Sequence, residues 1–199
     1  SDSTYNVESE LIKILKANGF LLIYNLVESF CREFIIEILR EIQGEKLTLE
    51  KLSEKIRKIW IAQRVRNFRD PKTSNEKLEN CIDGIATGIF EDTVVEFTDL
   101  IKSIENNERY DAFGLSGSID KEKIQKLAGQ YGFDAITPPE KERCGAYLKT
   151  VKDQRNKLAH GRITFAECGK DKSVTEMVEY KDNAVVYLTH VLLNIETYL

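Results

Sequence analysis

The sequence predicts an all-α protein, and three observations carry that expectation. Apolar residues recur at spacings of three and four through long stretches at both ends of the chain. Capping boxes and terminal glycines punctuate it at intervals suited to helices. Only 3 of 199 residues are proline while 31% are charged, which favours long amphipathic helices over a sandwich or barrel. One domain spanning residues 1–199 is the expectation at this length, large enough to bury a core without disulfides or metals.

The elements follow in order. Residues 7–42 contain ESELIKILKANGFLLIYNLVESFCREFIIEILREI, where Leu11, Ile14, Leu15, Leu22, Leu26, Phe30, Phe34 and Ile38 keep helical periodicity. Asn18-Gly19 is expected to bend or break this helix, because Gly costs about 1 kcal/mol relative to Ala in a helix interior. Gln43-Gly44 ends it. Thr48 starts a second helix to about Arg69, ahead of Asp70-Pro71, since a proline biases the residue before it away from helix. TSNE, residues 73–76, reads as a capping box. Beyond it, CIDGIATGIFEDTVVEF carries two glycines and a β-branched run, which weaken the helical pattern. GLSGSID is a turn, with Asp120 as the N-cap of a short helix ending at Tyr131-Gly132. TPPE, residues 137–140, places Thr at N-cap, Pro at N1 and Glu at N3. The helix it opens runs to His160, and Gly161 stops it. Residues 162–172 read as a loop or short irregular segment. SVTE, residues 173–176, opens a last helix to Tyr198, with Val178, Val185, Leu188, Leu192 and Ile195 as its inner face. The sum is a bundle of about four main helices plus shorter ones.

Charge and cysteine usage narrow the function classes. The net charge of -4 means that any nucleic-acid site is a local patch. Residues 46–72 supply one, with nine Lys or Arg against three acids. Lys58, Arg64, Arg66 and Arg69 are candidates for a phosphate-binding track, with Trp60 or Phe68 for base stacking. The same charges also suit a solvated helix face. Cys31, Cys81, Cys144 and Cys168 form no CxxC pair, and the chain has 2 histidines, so no metal site is expected. Reduced thiols in a cytoplasmic protein are the better account. No charged-then-apolar leader opens the chain, and GFLLIYNLV, the longest apolar run, is about half a membrane span. No phosphate-cradling glycine loop or nucleophile elbow is present, and no cofactor is expected.

The chemistry concentrates in DQRNKLAHGR, residues 153–162. Arg155 and His160 stand five apart at a helix end, with Asn156 beside the Arg and Gly161 after the His. Phosphoryl transfer on RNA without a metal needs a base for the ribose 2′-hydroxyl and cationic donors for the phosphate. Imidazole, which ordinarily titrates near about 6.5, suits the first task. Guanidinium suits the second. At about 100° per residue, positions five apart lie roughly 140° apart around a helix. Either the last turn is distorted, or a second copy of the chain completes the site across a two-fold axis; the second option is favoured. In the first helix, Asn25 and Glu28 sit on neighbouring positions of one face. They are candidates for site support, Glu28 through an ion pair with Arg155. His190, among apolar residues, reads as a structural histidine.

RNKLAHG resembles the R-x4-6-H motif of the HEPN superfamily. YNLVES, GLSGSIDKEKIQKLAGQYGF and the tail from RNKLAHG onward resemble the MAE-like branch of HEPN domains. The resemblance covers most of the chain and is weakest between about residues 70 and 110. It implies a HEPN helical bundle. It also implies a metal-independent endoribonuclease that works as a homodimer, within a prokaryotic toxin–antitoxin or anti-virus defence system with a partner protein such as an antitoxin. Arg155 and His160 would be catalytic, with Asn156 assisting. The alternative is a non-catalytic HEPN module for RNA binding or partner docking. In HEPN toxins silenced by a partner nucleotidyltransferase, a Tyr stands two places after the His; here that place holds Arg162.

Overall fold

Helix α1, Asp2–Gly44, runs for 43 residues without a break. The expected interruption at Asn18-Gly19 does not occur. Gly19 faces α8, where an added Cβ would come within 2.8 Å of Met177 Cε. Close packing along the helix offsets the local cost of the glycine, as is usual where tertiary contacts supply most helical stability. Asn18 turns its amide back onto Ile14 O at 3.0 Å.

The computed structural model describes residues 2–65, 74–91, 93–106, 115, 118–137 and 142–199. After α1 come α2 (Glu54–Arg64), α3 (Asn75–Phe90), α4 (Thr98–Glu105), α5 (Lys121–Tyr131), α6 (Glu142–Ala159), α7 (Phe165–Lys170) and α8 (Val174–Tyr198). Among the described residues there is no strand, and no helix is long and apolar enough to cross a membrane. The fold is thus a helical bundle, four helices of 16 or more residues accompanied by four shorter ones. Helix α1 is its spine, with α6, α7 and α8 packed along it. The core joins Phe20, Tyr24, Val27 and Cys31 of α1 to Leu148 and Val151 of α6 and to Tyr180, Tyr187 and Val191 of α8.

Several boundaries differ from the expectation. Thr48 does not start α2. Residues 48–52 form a turn, with the Leu52 amide donating to Thr48 O at 3.3 Å. The helix begins instead after Ser53, whose side chain accepts from the Ile56 amide. Thr48 pairs in a single antiparallel bridge with Val94. The β-branched run that weakened the helical pattern is therefore extended chain between α3 and α4. Ser74 caps α3, accepting from the Lys77 amide; Thr73, the expected cap, lies outside the described residues, as does most of TPPE. The segment 162–172 is not a loop: Thr164 and Glu167 form a reciprocal capping box that opens α7. The TFAE pattern carried that signal. In α8, Ser173 and Glu176 form the expected box, but the inner face is rotated. Val178, Val185 and Leu192 are exposed, and Tyr180, Ala184, Tyr187 and Val191 join Leu188 and Ile195 in the core. All four cysteines are free; Cys31 and Cys168 are buried and Cys81 and Cys144 half-buried.

Helix α7 lies so close to α1 that a Cβ on Gly169 would stand 2.0 Å from Lys13 O. A backbone oxygen cannot move aside as a flexible side chain can. Gly169→Ala is expected to lower the unfolding free energy by about 1–3 kcal/mol through overpacking. Gly129→Ala, on the exposed face of α5 with nothing within 4 Å, is expected to raise it by roughly 0.5–1 kcal/mol. Urea unfolding of the two variants should therefore shift in opposite directions.

Candidate functional site

Helix α6 stays regular to its end. The His160 amide donates to Asn156 O at 3.1 Å, the last bond of the helical ladder. Two further bonds then close the end: the Gly161 amide to Leu158 O at 3.0 Å, and the Arg162 amide to Lys157 O at 2.8 Å. This is a Schellman motif, with Gly161 in the left-handed region at φ 62. Of the two alternatives left by the sequence, a distorted last turn is thus ruled out. Arg155 and His160 leave a regular helix about 140° apart.

Their surroundings differ accordingly. Arg155 is half-buried, and its guanidinium lies over the Tyr24 ring of α1, 4.3 Å from the centroid. Its Nη1 donates to Asn156 Oδ1 at 3.0 Å. The Asn156 side chain in turn meets Ser118 Oγ, 3.0 Å from Oδ1 and 2.7 Å from Nδ2. Next to Ser118, the Ile119 amide donates to the Tyr24 hydroxyl at 3.2 Å. The contacts close a ring: Tyr24, Arg155, Asn156, Ser118, Ile119 and back to Tyr24. His160 is exposed, on the outer face of α6 with Lys149, Asp153 and Lys157.

One turn before Arg155, Lys152 anchors the same segment. Its Nζ lies 2.5 Å from Asp120 Oδ2, and the side chains are 20% and 10% exposed. Asp120 also caps α5, accepting from the Lys123 amide at 3.0 Å. Burial pushes the Asp120 carboxyl up, but the hydrogen bonds from Lys152 and the Lys123 amide, with the charges of Lys152 and Lys149, outweigh it and hold the group below its usual range. The hydrogen bond to Asp120 raises Lys152 above the usual ammonium range, against the effect of burial. Burial likewise raises Tyr24, opposed by the Ile119 hydrogen bond and reinforced by the Glu28 charge.

The other sequence candidates are placed less simply. Glu28 is half-buried beside Tyr24 and makes no ion pair with Arg155; the guanidinium is taken by Tyr24 and Asn156. Asn25, next to Tyr24, is exposed. Lys58 is exposed and paired with Glu54 at 2.5 Å. Arg64 lies over the Trp60 ring at 4.2 Å. Trp60 itself is only 2% exposed, packed against Gly88, so it is closed to base stacking. Arg66, Phe68 and Arg69 lie outside the described residues. His190 has a structural partner, its Nε2 standing 3.0 Å from Ile136 O. Sequence reasoning missed Tyr24, Ser118 and Lys152 as companions of Arg155. Tyr24 and Ser118 lie within YNLVES and GLSGSID, the stretches that carried the resemblance, but nothing in their spacing marked them as contacts.

A helical bundle whose α6 ends in RNKLAHG, with Arg155 half-buried and His160 exposed, is consistent with a HEPN-type helical domain. The chain belongs to the HEPN_MAE_28990-like HEPN family, whose sequence model matches residues 2–199. No curated protein and no solved structure matches it. Membership points to a ribonuclease or an RNA-binding module, and HEPN domains often bind RNA and dimerise.

The Asp120–Lys152 pair gives a pH-dependent test of the frame. A depressed Asp pKa stabilises fully above the unfolded value of about 3.9, and that contribution is lost as pH falls through the lower folded value. The raised Lys pKa contributes below about 10.4 and is lost as pH rises through the higher folded value. Lys152→Met leaves a shielded carboxylate unpaired and should cost about 2–4 kcal/mol at neutral pH. The deficit should shrink as pH falls toward 3 and below, as the Asp120 carboxyl begins to take up its proton. Urea unfolding at pH 7 and pH 3 checks both statements.

Proposed function

We propose that this chain is a metal-independent endoribonuclease of the HEPN type that works as a cytoplasmic homodimer. Its setting would be a prokaryotic toxin–antitoxin or anti-virus defence system, with a partner protein such as an antitoxin holding it in check. The observation that carries the reading is the contrast at the end of α6. One cation is fixed by a closed ring of contacts, and an uncovered imidazole stands five residues on.

The step uses these groups in named roles. His160 takes the proton from a ribose 2′-hydroxyl. The 2′-oxygen attacks the adjacent phosphorus and forms a new P–O bond. The bond to the 5′-oxygen breaks, and that oxygen leaves with a proton. The products are a 2′,3′-cyclic phosphate and a 5′-hydroxyl; no oxidant or reductant is involved. Arg155 stabilises the charge that builds on the phosphate oxygens, and its fixed posture means little reorganisation at that moment. Asn156 holds Arg155 in place. Because the two side chains diverge on one helix, His160 of one copy is proposed to serve the phosphate held by Arg155 of the other. The basic stretch, with Lys58 exposed, adds phosphate contacts away from the cut; Arg64 joins it only by leaving Trp60, and Arg66 and Arg69 complete it.

A second reading has its own observation. The Arg155 guanidinium turns inward onto Tyr24, the posture of a structural anchor, and a non-catalytic RNA-binding or partner-docking module would keep it. Cleavage of single-stranded RNA with chelator present separates the two. His160→Ala and Arg155→Ala should each lower the rate about 100-fold or more with unfolding temperature retained for His160→Ala. Mixing the two inactive variants should restore about a quarter of wild-type activity, since half the dimers are mixed and each rebuilds one of two sites. No cleavage by the wild type would leave the binding-module reading; no recovery on mixing would refute the two-chain site.

A further inference from the structure

The outer face of α6 carries a charge pattern of its own. At about 100° per residue, Lys149, Asp153, Lys157 and His160 fall within a sector of roughly 80°, opposite the buried Leu148, Val151 and Leu158. Arg162 stands just past the helix end and is exposed as well. Its backbone is fixed there. The Arg162 amide donates to Lys157 O at 2.8 Å, which folds the chain back against the turn that carries Lys157 and His160. Lys157 and His160 are three apart, and side chains at that spacing are neighbours on a helix surface. Two exposed cations thus border the exposed imidazole, one before it in the chain and one after.

These cations are unengaged. Among the described residues, Lys149, Lys157 and Arg162 make no ion pair. The charges of Lys157 and Lys149 are felt at Cys168 and Asp120, without a hydrogen bond to either. Asp153 is the one acid on this face. The next acid along the chain, Glu167, turns its carboxylate onto the Thr164 amide and hydroxyl at 2.7 and 2.8 Å. Three cations against one carboxylate leave a local positive excess in a chain whose net charge is -4. The basic stretch picked out in the sequence offers less: Lys58 is paired with Glu54, and Arg64 lies on Trp60. The negative end of the helix dipole, which would repel an anion here, is largely answered. The carbonyls of Asn156, Lys157 and Leu158 each accept a backbone amide.

We propose that Lys157 and Arg162 each hold an RNA phosphate next to the scissile one, with Lys149 taking a further phosphate along the strand. This inference rests on the reading of His160 as the base that cuts RNA, and it names the groups that lay the strand across that base. The two side chains suit the task in different ways. The guanidinium of Arg162 offers a planar fork of donors to two phosphate oxygens, and the ammonium of Lys157 acts as a point charge beside the imidazole. Lys149 lies eight residues before Lys157, roughly 12 Å along the helix axis, which extends the contacts along α6. Phosphate contacts of this kind fix register and orientation and carry no base preference. Asp153, between Lys149 and Lys157 on the same face, opposes the strand.

Binding of a single-stranded 2′-O-methyl RNA, which has no free 2′-hydroxyl and cannot be cut by this step, tests the subsite apart from cleavage. Lys157→Gln with Arg162→Gln should weaken binding on the order of 10-fold at about 0.1 M salt. The salt slope should fall by about 1.4, since each phosphate contact on a single strand contributes about 0.7. Asp153→Asn should strengthen binding roughly two-fold. Lys102→Gln with Lys126→Gln, which removes the same charge from exposed positions of α4 and α5, should leave the slope as it is. Unfolding temperatures should match the wild type throughout. A wild type that does not bind the strand, an unchanged slope in the Lys157 and Arg162 double variant, or an equal loss in the Lys102 and Lys126 variant would each overturn the proposal. Cleavage of ordinary RNA is read separately. Binding weakened as expected in a protein that cuts no RNA would keep the subsite and remove the nuclease. Unchanged binding, with cleavage abolished by His160→Ala, would do the reverse.

Discussion

The Arg155 guanidinium, stacked on Tyr24 and bonded to Asn156, ties together three parts of the chain that sequence keeps far apart. Tyr24 and Ile119 are separated by 95 positions and Ser118 and Asn156 by 38. The ring they form gives residues 118 and 119, just before α5, their partners: the Ile119 amide finds the Tyr24 hydroxyl, and Ser118 finds Asn156. A buried amide without a partner costs about 1–3 kcal/mol, so each bond here prevents a loss as much as it supplies a gain. The stacked cation adds about 0.5–2 kcal/mol according to its desolvation. Asp120 and Lys152 extend the arrangement by one turn and link it to the cap of α5. Segment 118–120 is thereby held to α1 and α6 at once, and α5 starts where that segment ends.

The second constraint is the length of α1. A 43-residue helix packs against α4, α6, α7 and α8, so its surface must serve several neighbours in turn. Gly169 and Gly19 show how closely they approach: α7 rests on the α1 backbone itself, and Met177 of α8 fills the space a side chain at position 19 would occupy. Both glycines act by absence of bulk rather than by unusual backbone geometry. Packing on one side leaves the other apolar and bare, and a helix hydrophobic on two faces is expected to be buried on two faces.

That doubled apolarity explains which parts of the structure were legible in the sequence. Helix ends were readable wherever a side chain satisfies the free amides or a glycine accepts positive φ: Asp120, Gly132, Gly161 and the Ser173–Glu176 box all act as their residue types predict. Thr48 failed because a hydroxyl near a helix start competes with any neighbouring cap, and Ser53 lies closer to the helical run. The inner face of α8 failed for a different reason. Val178, Val185 and Leu192 repeat every seven residues and look like a core seam, yet the core takes Tyr180, Tyr187 and Val191. Periodicity reports that a face is apolar; it does not report which of two apolar faces lies inside. In the site, the spacing of Arg155 and His160 was visible because both belong to one helix. Their companions were not, because Tyr24 and Ser118 reach Arg155 only through tertiary packing, and the expected Glu28 ion pair lost to an aromatic face and a neighbouring amide.

On the proposed reading, the different treatment of the two motif residues follows from what each would do. A cation that stabilises developing charge is most effective when already oriented, and Arg155 is held on two sides before any substrate arrives. A base must reach a proton whose position depends on the bound strand. His160 has the complementary arrangement: the Schellman bonds of Gly161 and Arg162 fix its backbone, while its side chain is left exposed. Gly161, in the left-handed region that the motif requires, has nothing within 4 Å of where a Cβ would stand. On the proposed reading these two requirements cannot be met on one regular helix, since the turn that buries an arginine carries a residue five positions later to the opposite side. A second copy resolves the conflict by supplying the missing partner from its own α6. On that reading catalysis is tied to assembly: a lone chain would hold a well-placed cation and an idle base, and would become a nuclease only when two chains meet.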